Sequence, residues 1–266
     1  MKKPIHCPLV LLFIFISLFA QAQRRKVDSL RSLLGKDKQD TLQVDHLNAL
    51  GWAYRNISHD SAFLFTNKAL ALSQKINWGK GIAVAYHQSG AFNSDESNFE
   101  TALDLYSKAL HIWDSIENAF RTQNGNESRY LKKIMRLKSL TIANIGNVYT
   151  GQADYPKALD QHFKSLRIDE TLVGSNDREL DSLGKLGVAR NYGAIAGLFL
   201  LEKKYQKSLE YFLDALKIGE KVASGFHSTW YGNIGLIYYE QKIYDKALEY
   251  HLKALALDEK DGNKNG

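Results

Sequence analysis

Prolines and cysteines are scarce in this sequence of 266 residues, which contains three prolines and one cysteine. Proline interrupts helices and strands alike, so its scarcity allows either. Runs of Val, Ile and Thr, which are typical of strands, are also few, and the two features together favour helices. A single cysteine excludes a disulfide framework and a cysteine-rich metal site. The formal net charge of +6 comes from mixed lysines and glutamates without a block of one sign, which argues against a nucleic-acid-binding surface.

Long hydrophobic runs are also missing, except for one at the amino terminus. Two lysines precede an apolar stretch from Leu9 to Ala20, and the small residue Ala22 follows it. This order predicts a secretory signal peptide over residues 1–22, cleaved after Ala22, and Cys7 is removed with it. The run is shorter than the roughly 20 residues of a permanent membrane helix. We therefore expect an exported protein, periplasmic or extracellular, without a membrane span once the signal peptide is removed.

The dominant feature of the sequence is a pattern that recurs along the chain. YPKALDQHFKSLRIDE (155–170) and YDKALEYHLKALALDE (244–259) are nearly alike, and residues 99–114 and 205–220 follow the same outline. Each copy carries a small residue near its start: Ala102, Ala158, Ser208 and Ala247. A second small residue lies twelve positions upstream of each: Gly90, Gly146, Ala196 and Gly235. A looser copy around Gly51 and Ala62 has one residue fewer between its marks, which predicts a shorter turn.

These spacings predict pairs of antiparallel helices. Small side chains let two helix backbones approach each other, and large neighbours fill the remaining gaps. On the second helix of the last copy, Leu248, Leu252 and Leu255 recur at helical spacing and give it one apolar face. A single pair cannot bury such a face, so the pairs must stack on one another to form a continuous core.

In these marks and in its helix–turn–helix plan, the sequence resembles the tetratricopeptide repeat family. The resemblance implies an all-α fold, a right-handed α-solenoid of stacked antiparallel helix pairs, over residues 41–260. We assign five repeats to residues 44–77, 83–116, 139–172, 189–222 and 228–261, with a capping helix and linker at 23–40 and a disordered tail at 261–266. The marks are spaced more widely than the family's 34 residues. The additional residues around DSIENAF and SRYLKKIMRLKS are predicted to extend helices.

Motifs for catalysis or cofactor binding are absent from the sequence. It contains no zinc-protease H-E-x-x-H and no glycine-rich phosphate-binding loop. His162 and His251 occupy the same repeat position, four residues after the small mark, where the family has a large packing residue. We interpret them as packing or partly exposed structural residues, and we expect no enzyme activity, no catalytic residue, no metal and no cofactor.

The resemblance also implies a binding groove on the concave surface, lined by the first helix of each pair. The family's groove positions fall on ten residues of this sequence: Asp45, Asn48, Trp52, Arg55, His87, Ser94, Asn147, Thr150, Arg190 and Tyr239. Trp and Arg are the residue types that contribute most at protein interfaces. The family's two-lysine clamp for a terminal carboxylate is absent, because its positions hold Asp45, Val84, Leu140, Arg190 and Thr229.

The sequence leaves more than one function open. The first is a non-catalytic scaffold or adaptor that holds a peptide or helix of a partner protein in the groove. The second is the extracytoplasmic sensor region of a signal-transduction protein, a histidine kinase or transcriptional regulator, because the amino-terminal part resembles exported Bacteroidetes regulators of this family. A weaker third is an enzyme regulator or chaperone cofactor. The apolar face of the last helix suggests self-association, a shortened receptor or a tolerated exposed edge.

Overall fold

The computed structural model describes residues 25–35, 37–124, 129–220, 222 and 225–260. The described residues form eleven helices and no strand: α1 (25–34), α2 (Thr41–Tyr54), α3 (His59–Lys75), α4 (Gly79–Asp95), α5 (Phe99–Asn124), α6 (Arg129–Gly151), α7 (Tyr155–Glu170), α8 (Arg178–Leu201), α9 (Tyr205–Gly219), α10 (His227–Glu240) and α11 (Tyr244–Lys260). The expected all-α fold is therefore confirmed. The predicted signal peptide at 1–22 and tail at 261–266 lie outside the described residues.

Helices α2 to α11 form five pairs, and in pairs two to five a turn of three residues joins the two helices. The middle residue of each turn has a left-handed backbone: Ser97, Ala153, Lys203 and Lys242, with φ between 58° and 61°. The next residue then donates its N–H to a carbonyl five positions earlier, as from Asn98 to Asn93 at 2.8 Å. This is the Schellman arrangement, which satisfies the last carbonyls of a helix and turns the chain sharply.

The prediction of a shorter turn in the first pair is wrong. Residues 55–58 form that turn, which is one residue longer than the others. The marks lie closer because α2 ends three residues after Gly51, whereas α4 ends five residues after Gly90. Ser58 then caps α3, and its Oγ accepts the N–H of Ser61 at 3.2 Å. The first pair therefore differs from the others by a shorter α2 and not by a shorter turn.

The repeated small residues mark the contact between the two helices of a pair. Gly90 on α4 faces Tyr106 on α5 so closely that an added Cβ would lie 2.9 Å from the ring. Gly146 and His162 on α6 and α7 make the same contact, with 2.8 Å from that Cβ to Nε2. His162 is buried, and His251 abuts Gly235 in the same way. The interpretation of both histidines as packing residues is consistent with these positions.

Each second helix packs against the first helix of the next pair. First helices of consecutive pairs also contact each other, whereas second helices of consecutive pairs do not in the described part of the chain. Contacts join α2 to α4, α4 to α6, α6 to α8 and α8 to α10, whereas none join α3, α5, α7, α9 and α11 in sequence within the described part of the chain. First helices that approach more closely than second helices must lie on the inside of a curve. They therefore line the concave surface of the solenoid.

The longer spacing between pairs two and three comes from helix extensions, as predicted. Helix α5 continues to Asn124 and α6 starts at Arg129. Lys138 on α6 joins them, because its Nζ lies 2.6 Å from Asp114 Oδ1 and 2.8 Å from Glu117 Oε2 on α5. The extension of α6 places Arg136 and Leu137, which precede the assigned third repeat, beside the concave surface.

The two ends of the described array differ. At the first end, α1 packs on pair one, and Val27 belongs to the same buried cluster as Val44 and Leu47. At the other end, Leu248, Leu252 and Leu255 of α11 are exposed. Among the described helices, none combines the length and the apolarity needed to cross a bilayer.

Candidate functional site

An apolar cavity of about 150 Å³ opens on the concave surface where α2, α4, α5 and α6 meet. Its lining residues are Trp52, Val84, His87, Gln88, Trp113, Leu137 and Leu140. We call this the apolar cavity. Trp113 is fully buried at its floor, and Trp52 is 40% exposed at its edge. A surface of this composition is suited to an apolar side chain of a partner.

Trp52 is held in place from two sides. Its ring lies 6.2 Å from the ring of Phe92, and the guanidinium of Arg55 lies 4.6 Å above it. Arg55 also donates from Nη2 to Asp95 Oδ1 at 2.6 Å. The tryptophan is therefore already ordered before any partner arrives, which lowers the entropic cost of binding.

His87 lines the apolar cavity as a neutral packing residue. Its Nδ1 is 2.9 Å from Thr141 Oγ1 on α6, so the two side chains join α4 to α6. Burial, together with the positive charges of Arg55 and Arg190, lowers the pKa of His87 to about 4. The imidazole is therefore uncharged at neutral pH.

A second cavity, of about 210 Å³, lies where α6, α7, α8 and α10 meet, and we call it the basic cavity. Its polar lining residues are Arg136, Asn147, His162, Ser165, Asp169, Arg190 and Asn191, and its apolar ones include Leu140, Phe226 and Trp230. Leu140 lines both cavities, so they adjoin along the concave surface.

A buried carboxylate lies at the base of the basic cavity. Asp169 on α7 is 1% exposed, and its Oδ1 lies 3.4 Å from Arg136 Nη1 on α6. Asn191 donates from Nδ2 to Asp169 Oδ2 at 3.1 Å. Gly187 makes this possible, since a Cβ there would meet that oxygen. Burial raises the pKa of Asp169 to about 6, although Arg136 opposes the rise.

Asn191 connects the groups around this carboxylate. Its Nδ2 also donates to Ser165 Oγ at 2.9 Å and to the Gly187 carbonyl at 3.1 Å. Its Oδ1 accepts from His162 Nδ1 at 3.3 Å, which leaves Nε2 of that ring as the unprotonated nitrogen. Burial lowers the pKa of His162 to about 4, so this histidine is also neutral at pH 7.

Three buried polar atoms of the basic cavity have no hydrogen-bond partner among the described residues: Arg136 Nε, Asp169 Oδ1 and His162 Nε2. Buried polar atoms are nearly always paired in native proteins, so a cluster of three is unusual. His162 Nε2 faces Gly146, which accounts for one of them. The other two belong to the cavity itself.

Arg190 on α8 contributes a second positive charge to the same cavity. Its guanidinium lies 5.7 Å from the ring centre of Phe226. Burial and the neighbouring Arg136 lower the pKa of Arg190 from its ordinary value, and Asp169 alone raises it. Within the described part of the chain, no carboxylate lies at ion-pair distance from Arg190.

The structure brings four of the ten predicted groove residues to these cavities. Trp52 and His87 line the apolar cavity, and Asn147 and Arg190 line the basic cavity. Three of the five positions that correspond to the family's carboxylate clamp also line the two cavities: Val84, Leu140 and Arg190. The family-based numbering of the groove therefore selects real cavity positions on α4, α6 and α8.

The other predicted groove residues lie elsewhere. Asp45 is exposed beside Lys80, at 3.7 Å, and Arg55 is paired with Asp95 beside the first turn. Thr150 donates within its own helix to the Gly146 carbonyl at 3.0 Å. Ser94 is half-buried near the end of α4. Tyr239 is exposed and lies 5.8 Å from the Tyr244 ring.

Asn48 requires a correction. It is only 3% exposed, and neither polar atom of its side chain has a hydrogen-bond partner in the part of the chain that the structure describes. The residue lies inside the packing of α2 rather than on the open groove, because the family position falls on a buried side of this shorter helix. A partner could not contact it without opening the first pair.

Sequence reasoning missed Arg136, Asp169, Asn191 and Trp113. Arg136 precedes the assigned start of the third repeat, and Trp113 lies late on α5, so counting from the small marks does not point to them. Asp169 is on a second helix, which the family plan assigns to the outer side. A usable signal is the repeat register, because Asp169 aligns with Ser73 and Trp113, which are buried in the earlier repeats.

Among the described residues, no group of three histidine, cysteine, aspartate or glutamate side chains could hold a metal ion. Both buried histidines are held by neutral hydrogen-bond partners, which are Thr141 and Asn144 for His87 and Asn191 for His162. The arrangement is suited to contact and recognition, with one apolar and one charged part.

Comparisons with known proteins agree with this fold. Residues 187–260 match the family model of the tetratricopeptide repeat. The fold is similar to that of BtubC from P. vanneervenii, with a TM-score of 0.62, 15% identity and 92% of each chain covered. It is also similar to the apo form of RapI, with a TM-score of 0.64, 17% identity and coverage of 84% of this chain and 72% of that chain.

A third similar structure is a Rap protein complexed with competence and sporulation factor, with a TM-score of 0.62 and 12% identity, which covers 93% of this chain and 74% of that one. No curated protein matches this sequence. The family match shows that residues 187–260 are tetratricopeptide repeats, and the similar structures show that the described chain has the same solenoid fold. This fold is a scaffold for protein–protein interaction.

Proposed function

We propose that this chain is a non-catalytic, exported scaffold that holds a peptide or helix of a partner protein on its concave surface. The observation that carries the proposal is the pair of adjoining cavities, one apolar and one charged, that share Leu140. An extended or helical segment that crosses the first helices can place one side chain in each. The similar Rap protein, whose structure holds competence and sporulation factor, supports a binding role for such a surface.

The binding part of the proposal is tested with a displayed library of random twelve-residue peptides. The folded chain is expected to select peptides, and Trp52→Ala is expected to weaken the selected peptides by about 2 kcal/mol, the loss typical of an interface hot spot. Only Trp52 is changed, because Arg55 donates a hydrogen bond to Asp95 and its replacement would disturb that pair. Leu64→Ala is the control, because Leu64 is an exposed apolar residue of α3, a second helix outside the groove. Equal losses in both variants, or no selected peptide, would contradict the proposal.

Export is proposed from the amino-terminal sequence, which has the basic, apolar and small segments of a signal peptide. The full sequence, expressed in a Gram-negative host, is expected to yield a periplasmic or extracellular product that begins at Gln23. Amino-terminal sequencing of the fractionated product checks this. A product that stays in the cytoplasm with residues 1–22 intact would contradict it.

We also propose that the chain self-associates through α11. Leu209 and Leu216 on α9 are 8% and 5% exposed because α10 covers them, whereas the equivalent Leu248 and Leu255 on α11 are 61% and 45% exposed. Since α1 covers the opposite end, a head-to-tail stack is blocked, and a symmetric contact between two α11 faces is favoured.

Sedimentation equilibrium of the purified chain checks this contact. A dimer is expected, and Leu248→Glu with Leu255→Glu is expected to give a monomer because each copy would bring two charges into the contact. Leu64→Glu, on the exposed face of α3, is the control and is expected to remain dimeric. A monomeric wild-type chain at high concentration would contradict the proposal.

A further inference from the structure

The early end of α2 determines where Arg55 lies. Helix α2 ends at Tyr54, two residues earlier in its repeat than α4, which ends at Asp95. Arg55 is therefore the residue that caps α2, and its N–H donates to the Trp52 carbonyl at 3.3 Å. Residues three apart in a helical turn lie on the same side, so the Arg55 side chain extends over Trp52.

The side chain of Arg55 joins pair one to pair two. Its Nη2 donates to Asp95 Oδ1 at 2.6 Å and its Nε donates to Asp95 Oδ2, while the same guanidinium lies 4.6 Å from the centre of the Trp52 ring. Two parallel hydrogen bonds fix the plane of a guanidinium as well as its distance. A carboxylate at the end of α4 therefore sets the position of a cation that covers one face of a tryptophan on α2.

The apolar cavity depends on that tryptophan. Trp52 is the only residue of pair one among the described residues that line the cavity, and the others come from α4, α5 and α6. The indole is 40% exposed, and Phe92 contacts it with ring centres 6.2 Å apart. An exposed side chain that is not already ordered has to lose its freedom when a partner binds, which lowers the affinity.

A second ion pair joins the first turn to the end of α4. His59 Nδ1 lies 2.9 Å from Glu96 Oε1, and Glu96 directly follows Asp95. The side chains of His59 and Glu96 are 43% and 37% exposed, against 27% and 31% for Arg55 and Asp95, so water screens this pair more strongly. Neither His59 nor Glu96 lines the apolar cavity. Glu96 therefore provides a matched control for Asp95.

We propose that Asp95 is a positioning residue of the binding surface: it does not line the apolar cavity, but it orders Trp52 through Arg55 and so sets the affinity for the apolar side chain that the cavity receives. The inference rests on the proposed function and adds the control of its apolar part. It also assigns a role to the short α2, whose early end brings Arg55 to Asp95.

The test uses an uncharged probe, N-acetyl-leucine N-methylamide, because the loss of a charge at Asp95 cannot act on it directly. Binding is followed by the backbone ¹⁵N–¹H signals of His87 and Gln88, which line the cavity. Asp95→Asn is expected to weaken the probe roughly threefold to tenfold, the effect of ordering one large side chain on binding. In the unliganded protein, the same change is expected to lower the NMR order parameter of the Trp52 indole N–H.

Three further variants separate positioning from a general loosening of the turn. Glu96→Gln breaks the neighbouring ion pair and is expected to bind the probe as wild type does. Arg55→Lys keeps the charge but not the paired donors, and is expected to behave as Asp95→Asn does. In the Trp52→Ala protein, Asp95→Asn is expected to cause no further loss, because it acts through that ring. If Asp95→Asn does not fold, Arg55→Lys decides.

The proposal is overturned if Asp95→Asn binds the probe as wild type does, if Glu96→Gln loses as much, or if Asp95→Asn causes the same loss with and without Trp52. A probe that does not bind the wild-type chain overturns it as well. These outcomes are separate from failure of the proposed function. Probe binding that depends on Asp95, without any selected peptide, would reject the scaffold role alone. Selected peptides that need Trp52 but not Asp95 would reject the positioning role alone.

Discussion

At the scale of the residue, burial changes the chemistry of the same side chain from one repeat to the next. His162 and His251 occupy equivalent positions, and each packs against a glycine of the preceding helix. His162 is covered by pair four and is buried, whereas His251 lies on the last described pair and is exposed. Phe212 occupies the same position in pair four and is also buried, so this repeat position accepts either an imidazole or a phenyl ring.

The buried histidines predict a loss of stability in acid. The folded-state pKa of His162 lies at about 4, below the unfolded value of 6.5, so its contribution is complete above pH 6.5 and is lost as the pH falls toward 4. The shift corresponds to roughly 3 kcal/mol. His162→Phe is therefore expected to reduce the fall in unfolding free energy between pH 7 and pH 4.5, as measured by urea unfolding.

Asp169 has the opposite sign and must be included when these curves are interpreted. Its folded-state pKa is raised to about 6, above the unfolded value of 3.8. The folded state therefore gains stability relative to the unfolded state as the pH falls from 6 toward 3.8 and Asp169 is protonated. Asp169→Asn is expected to remove this gain, and the variant should lose more stability in acid than wild type does. His111→Phe, at an exposed position of α5, is the control for the histidine change. A His162→Phe curve parallel to wild type would show that burial does not suppress protonation there.

At the scale of the element, the glycines of the pattern are required where a ring faces them. Gly90 lies in α4, and a Cβ there would come within 2.9 Å of the fully buried ring of Tyr106. Gly197 lies within α8, and a Cβ there would have no atom within 4 Å. The two glycines therefore occupy similar helical backbones but differ in what surrounds them.

Substitution of these two glycines by alanine is expected to give opposite results. Gly90→Ala should destabilise the fold by about 1–3 kcal/mol, because the buried ring cannot move away. Gly197→Ala should stabilise it by about 0.5–1 kcal/mol, because alanine favours the helix. Thermal unfolding of both variants checks this. Stabilisation by Gly90→Ala would mean that the two helices of pair two do not approach as described.

The turns allow a second prediction at this scale. Lys203 has φ of 58°, a left-handed conformation that costs a non-glycine residue roughly 1–2 kcal/mol. Lys203→Gly should therefore stabilise the fold by about 0.5–1 kcal/mol after the greater entropy of the unfolded chain is counted. The adjacent Lys204, with φ of −84°, is the matched control, and Lys204→Gly should be destabilising. If both changes lower the melting temperature, the turn is not under this strain.

The sequence predicts the helix pairs well because small residues, rings and apolar positions all recur at fixed offsets. It predicts the groove less well, because offsets index only residues inside a 34-residue repeat. Val84, Leu140 and Arg190 are found by counting, whereas Arg136 lies on an extension and Asp169 on a second helix. A buried carboxylate beside two arginines depends on how three pairs are placed together, which no single repeat encodes.

At the scale of the whole molecule, the solenoid separates an inner surface from an outer one. First helices contact one another along the inner side, and both cavities open there. The outer face of the second helices carries short-range ion pairs such as Lys164 with Asp160, at 2.6 Å, which satisfy the side chains without a partner. The central claim is therefore that a partner is held on the inner surface.

Photo-cross-linking in the organism that produces the protein tests this claim most directly. A benzoylphenylalanine is placed at Asn147, on the inner surface, or at Gln206, an exposed amide of α9 on the outer surface. We expect irradiation to join a partner to the Asn147 variant, with the yield reduced by Trp52→Ala, and to give no adduct from the Gln206 variant. Adducts from Gln206 alone, or equal yields with and without Trp52, would contradict the account.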